Sequence, residues 1–127
     1  FHFARFDVAA IKFFLKIEVK NIYCTKISSK IARTYTDKHS LKDLVKEIID
    51  IDMSKQMQSS DWGAEKLSEK QLKYAASDCI YLHQLKRELN KILVRENRME
   101  LFEKCMKFLN TRVDLDLADY KIDIFSH

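Results

Sequence analysis

The chain has 127 residues, 46% of them hydrophobic, with one Gly and no Pro, enough apolar material for a single domain with a real core. No apolar run reaches the roughly 18 residues a membrane span needs, Ile11–Val19 being broken by Lys12, Lys16 and Glu18, so no membrane partner is expected. A net charge of +4 permits a polyanionic partner without requiring one, and the dispersed Cys24, Cys79 and Cys105 suit a reducing cytoplasm better than a disulfide framework or zinc knuckle.

Phe1–Phe3 reads as the end of a strand, and the chain opens without Met or signal pattern in a stretch typical of a domain interior, so it reads as a fragment. A helix is predicted from Arg5 to Lys16, a short strand over Ile22–Cys24 and a helix over Thr25–Arg33. Thr34–Ser40 is polar and loop-like, and Ser40 with Asp43 caps a helix Leu41–Ile49. Asp50–Lys66 has no periodicity, and a structureless connection of that length is often functional. Ser68 and Gln71 form a capping box that launches a long helix through Tyr74, Asp78, Leu82, Leu85 and Leu89 toward Ile92. Another helix runs from Arg98 to Leu109. Beyond it, the alternation of Val113, Leu115 and Leu117 predicts an extended tail that packs back on the body.

Two acids fall on apolar stripes. At about 100° per residue, Tyr74, Ala75, Leu82, Leu85, Leu89 and Ile92 lie within roughly 60° of Asp78, and Ala10, Ile11 and Phe14 lie equally close to Asp7. An ionised carboxylate on a core face needs a cation, a metal or a hydrogen-bond network. Either acid alone could be paired with a buried Arg. Together they suit a hard Mg²⁺ or Mn²⁺ site, in which two ions about 4 Å apart activate water and stabilise a leaving phosphodiester oxygen. Tyr74, one turn before Asp78, could reach a metal-bound water or could be a core aromatic.

Phe1-His2-Phe3-Ala4-Arg5-Phe6-Asp7 resembles the second exonuclease motif of ribonuclease D proteins, and Tyr74-Ala75-Ala76-Ser77-Asp78 resembles their third, the YxxxD of the DEDDy class. Thr25-Lys26-Ile27, Ser40-Leu41-Lys42-Asp43-Leu44, Ser59-Ser60-Asp61-Trp62 and Arg95-Glu96-Asn97-Arg98 are similar to the family in order and spacing. The resemblance implies an α/β, ribonuclease H-like fold and a hydrolase that removes nucleotides from the 3′ end of single-stranded RNA or DNA with two Mg²⁺ or Mn²⁺ ions. It assigns Asp78 as a metal ligand, Asp7 as serving the second metal either directly or through water, and Tyr74 as the residue that orients the attacking water. The family's first motif, DxE on an early strand, has no counterpart here. The expectation is therefore one partial exonuclease domain over 1–127, mostly helical because the first strands are missing, with 96–127 as a helical extension. It should be weakly active or inactive alone. The alternatives are a non-catalytic nucleic-acid-binding remnant or half of a split exonuclease that pairs with a separately encoded N-terminal fragment.

Phe3 stands where relatives often have a polar residue, Cys24 replaces a common Asp and Asn110 a Pro. His2, Arg33, Lys38, His39, Lys42, Lys55 and Trp62 are candidates to contact phosphates or stack on bases, against the blander reading of a solvated face with Trp62 in the core. Asp114, Asp116 and Asp119 imitate a metal cluster by spacing, but their alternation with apolar residues favours the wet side of an extended segment.

Overall fold

In a computed structural model that describes residues 1–53, 63, 68–120 and 124–126, two helices open on side-chain caps, from Ser40 and Ser68, that satisfy one of their first amides. The side chains of Tyr74, Ala75, Ser77 and Asp78 fall outside the described part, as do Lys55 and Trp62 entirely. Helix α1 spans Ala4–Leu15 and α2 Thr25–Ala32, each within a residue or so of its predicted bounds. Ser40 Oγ accepts the Asp43 N–H at 3.1 Å to open α3, Leu41–Leu44, which passes into a π-helical turn over Val45–Ile49. Asp50, left-handed at φ 61°, ends that turn by donating its N–H to the Val45 carbonyl. Beyond Met53, the predicted irregular stretch lies almost wholly outside the described residues.

The Ser68–Gln71 capping box forms in both directions and starts α4, Glu69–Arg95. Asn97, with φ 56°, turns the chain into α5, Met99–Leu117. Arg98 at this corner donates to the Ile31 and Ala32 carbonyls, which fixes the corner against the open C-terminal end of α2.

The expected extended tail is instead the last turns of α5. Phe102, Leu109 and Val113 continue one buried helical stripe, and this spacing outweighs the shorter alternation of Val113, Leu115 and Leu117. Asp116 receives both Arg5 and Arg112, and Asp114 pairs with Lys12, so two acids of the apparent cluster tie α5 to α1. Ile124–Ser126 does fold back, with Phe125 edge-on to Phe108 at 5.9 Å.

The two predicted strands do not form as such; among the described residues there is no strand. One remnant of pairing exists. The Phe1 amino group donates to the Tyr23 carbonyl at 2.9 Å, and the Thr25 N–H donates to the Phe1 carbonyl at 2.8 Å, the pattern of a single parallel rung.

Two cores adjoin. Leu44, Val45, Leu85, Leu89, Leu93 and Phe102 build the larger between α2, α3, α4 and α5, and each fully buried Leu contributes roughly 2 kcal/mol. Ala4, Val8, Cys24, Leu109 and Val113 build the smaller between α1 and α5, with Ile27 and Met106 packed against both. Burial of Ala4 and Val8 rotates α1 away from the stripe predicted around Asp7. Asp7 is half-buried and Phe14 is 77% exposed, so the apolar face centred on Asp7 is only partly covered by the described residues. No described helix is long and apolar enough to cross a membrane.

Candidate active site

The approach to α1 is strained. Phe3, its N-cap, adopts φ 66° and ψ 53°, the left-handed region that Gly and Asn enter readily and a bulky aromatic enters at a cost of about 1–2 kcal/mol. The Cys24 Sγ accepts the Ala4 N–H at 3.3 Å, which anchors the first turn from the opposite side. The strain thus sits four residues before Asp7.

Asp7 occupies the first turn of α1, where the helix N-terminus favours negative charge. Its carboxylate has no hydrogen-bond or ion-pair partner among the described residues, and burial pushes its pKa above the usual carboxylate value. An unsatisfied, part-desolvated carboxylate can hold a hard cation.

His2, Arg33 and His39 are drawn into polar contacts around α2. His2 Nδ1 lies 2.9 Å from Thr25 Oγ1, whose hydroxyl donates to the Phe1 carbonyl at 3.1 Å. Burial, assisted by the charge of Lys26, lowers the His2 pKa from 6.5 to about 4, so the ring is neutral near pH 7. His39 Nδ1 lies 2.7 Å from Ser29 Oγ, which accepts from Arg33 Nη1 at 2.9 Å.

Arg33 is only 1% exposed. Its guanidinium also donates to the Lys38 carbonyl at 2.9 Å and pairs with Glu47, which accepts a further bond from Tyr35 Oη at 2.6 Å. The predicted phosphate ligand is thus turned into the protein, where it joins the loop 34–40 to the π-helical turn, because Ser29 one helical turn earlier and Glu47 across the gap satisfy it. Lys38, whose carbonyl belongs to this network, is exposed on that loop, and Lys42 is half-buried in α3.

Tyr74 and Asp78 lie one turn apart on α4, with their side chains outside the described part. Farther along, Cys79, Leu82, His83 and Lys86 face Phe1, Tyr23 and Thr25 across a cavity of about 280 Å³, so α4 runs past the rung at Phe1. Tyr23, not anticipated from the sequence, braces this contact by donating to Asn90 Oδ1 at 2.9 Å and sharing a bond with Ser28 Oγ. Only its position before a helix in a half-buried segment could have marked it. Among the described residues no group of three or more His, Cys, Asp or Glu is arranged to hold a metal.

A family model for the 3′–5′ exonuclease domain matches residues 1–94. The chain is 51% identical to Brucella melitensis NrnC, with a TM-score of 0.90 over 100% of this chain and 62% of that one. That nuclease has also been solved bound to pGG and with bound Mg²⁺. Ribonuclease D of Pseudomonas paraeruginosa is 43% identical over 60 residues, 47% of this chain and 16% of that protein. DNA polymerase I of Aquifex aeolicus is 49% identical over 49 residues, 39% of this chain and 8% of that protein.

Proposed function

The chain belongs to the 3′–5′ exonuclease family, and from that premise we propose that it supplies the Asp7, Tyr74 and Asp78 part of a ribonuclease D-type, metal-dependent nuclease site. The observation that carries this reading is the half-buried Asp7 carboxylate, which has no hydrogen-bond or ion-pair partner among the described residues, on the side of α1 where Phe14 stays exposed. Such a carboxylate suits Mg²⁺ or Mn²⁺, and Asp78 would be the second acid that holds the ion. The bound metal would activate water and stabilise the leaving oxygen of the phosphodiester. Tyr74 would orient that water, and Asp7 in the first helical turn would keep its charge directed at the site. The substrate is the 3′ end of single-stranded RNA or DNA, and pGG bound to NrnC supports a short nucleic-acid oligomer as its class.

No DxE tripeptide occurs in the 127 residues, so the remaining acids come from a segment these residues do not contain. The single parallel rung at Phe1 and the exposed Phe6, Phe13 and Phe14 support a ribonuclease H-like sheet whose further strands lie on that segment, in the same polypeptide or a separate one. Helix α5, Met99–Leu117, lies past the family match as a helical extension. By itself this chain would hydrolyse little, and an inactive nucleic-acid-binding remnant is the second reading.

The test mixes the chain with a segment equivalent to the unmatched part of NrnC and follows 5′-labelled single-stranded RNA with Mg²⁺. Restored trimming from the 3′ end, lost with Asp78→Asn, supports the proposal. A mixture that assembles yet remains inactive rejects it in favour of the remnant.

A further inference from the structure

A cavity of about 510 Å³ opens between Phe3, the first turns of α2 and the middle of α5. Its size is within the roughly 300–1,000 Å³ of small-molecule sites. Asp7 does not line it. Arg5, which does, lies two residues from Asp7 on α1, so the two side chains project about 160° apart.

Arg5, Lys26, Lys30, Lys104 and Arg112 line the cavity, and among the described residues no carboxylate does. Asp116 holds Arg5 and Arg112 from outside the lining at 2.6 and 3.0 Å, and Glu100 holds Lys104 at 3.3 Å. Lys26 and Lys30 have no carboxylate partner among the described residues, so positive charge faces the cavity in excess. The rest of the wall is apolar, from Ile27 and Leu109, with the part-exposed rings of Phe3 and Phe108 at its edge. Lys26 Nζ stands 4.4 Å over the Phe3 ring, which pairs a cation with an aromatic face.

An anion with a flat apolar body matches these walls, and a base stacks on an aromatic ring while lysines take its phosphate. We propose that this cavity is a nucleotide-binding site on the side of α1 turned away from Asp7. A nucleoside 5′-monophosphate unit lays its base against Phe3 and Phe108 and its phosphate on Lys26, Lys30 and Lys104. The family's nucleic-acid chemistry guides the choice of ligand, but binding here requires neither catalysis nor a divalent metal. The unit is either a free mononucleotide or one nucleotide of a strand.

The experiment is calorimetric titration of the chain with adenosine 5′-monophosphate in EDTA, beside adenosine and inorganic phosphate. Saturable binding is expected for the nucleotide, with adenosine and phosphate each at least about tenfold weaker. Lys30→Glu, at an exposed position, should lower nucleotide affinity about tenfold, the loss of one charge-assisted contact, while Asp7→Asn leaves it unchanged. Lys104→Glu provides an independent second variant. A short oligoadenylate that displaces the mononucleotide identifies a strand as the occupant, and failure to displace identifies the free nucleotide; both support the site. The proposal is overturned by no nucleotide binding, by phosphate binding as tightly as the nucleotide, or by indifference to both lysine substitutions. Loss of binding in Asp7→Asn alone would assign the nucleotide to the Asp7 face, which sinks this inference and leaves the proposed function standing.

Discussion

Replacing Arg33 by Ala separates a structural arginine from a nucleic-acid ligand. The substitution removes bonds to Ser29 Oγ and the Lys38 carbonyl and the ion pair with Glu47, at a side chain 1% exposed. Each buried group left without its partner costs about 1–3 kcal/mol. The Glu47 side chain is 44% exposed, so water takes over much of its half of the pair, and that part is worth about 1 kcal/mol or less. The loss should total about 3 kcal/mol, which for a chain of this size lowers Tm by about 10 °C. Arg33→Lys keeps the charge but not the fork and should recover only part of that loss. Thermal unfolding followed by circular dichroism measures both variants, with RNA affinity determined at a temperature where each is folded. A Tm drop under about 3 °C accompanied by lost RNA binding would refute the reasoning and return Arg33 to the substrate side.

Other substitutions test neighbouring parts of the account. Burial holds the His2 pKa near 4 while an unfolded His titrates near 6.5, so the unfolded chain takes up the proton first and stability should fall as pH drops from 6.5 toward 4. His2→Gln should flatten that acid limb in a pH series of melting curves. The Asp7 carboxyl is raised by burial, so its ionisation at neutral pH opposes folding, and Asp7→Asn should raise the Tm of metal-free protein at pH 7. An unchanged or lower Tm would show that Asp7 has a stabilising partner. Ser68→Ala removes one side of the capping box on α4 and should cost about 1 kcal/mol in chemical denaturation. Leu89→Ala, in the larger core, should cost roughly 3–5 kcal/mol in the same experiment.

The helices were legible because their signals are local: the Ser40 and Ser68 caps and the apolar spacing of Leu85 and Leu89 do not depend on the rest of the chain. The tail was misread because a three-residue alternation was weighed above the longer stripe from Phe102 to Val113, and the ion pairs that confirm the helix come from Arg5 and Lys12, about a hundred residues away. Strands at Phe1–Phe3 and Ile22–Cys24 depend on neighbours across a sheet, and one rung is all the described residues provide. In α1 the period was right but the buried face was wrong. The stripe around Asp7 exists in the sequence, while α5 covers the stripe of Ala4 and Val8 instead. At the candidate site, Asp7 is singled out in the sequence by its place among apolar residues. The role of Arg33 was missed because its acid, Glu47, meets it only after the loop 34–40 folds back.

The central claim is that Asp7 and Asp78 hold one divalent cation. Titrating Mn²⁺ into the chain and following free ion by electron paramagnetic resonance tests it without a substrate. The account predicts weak binding that Asp7→Asn and Asp78→Asn each abolish. Binding that persists unchanged in either variant would contradict it.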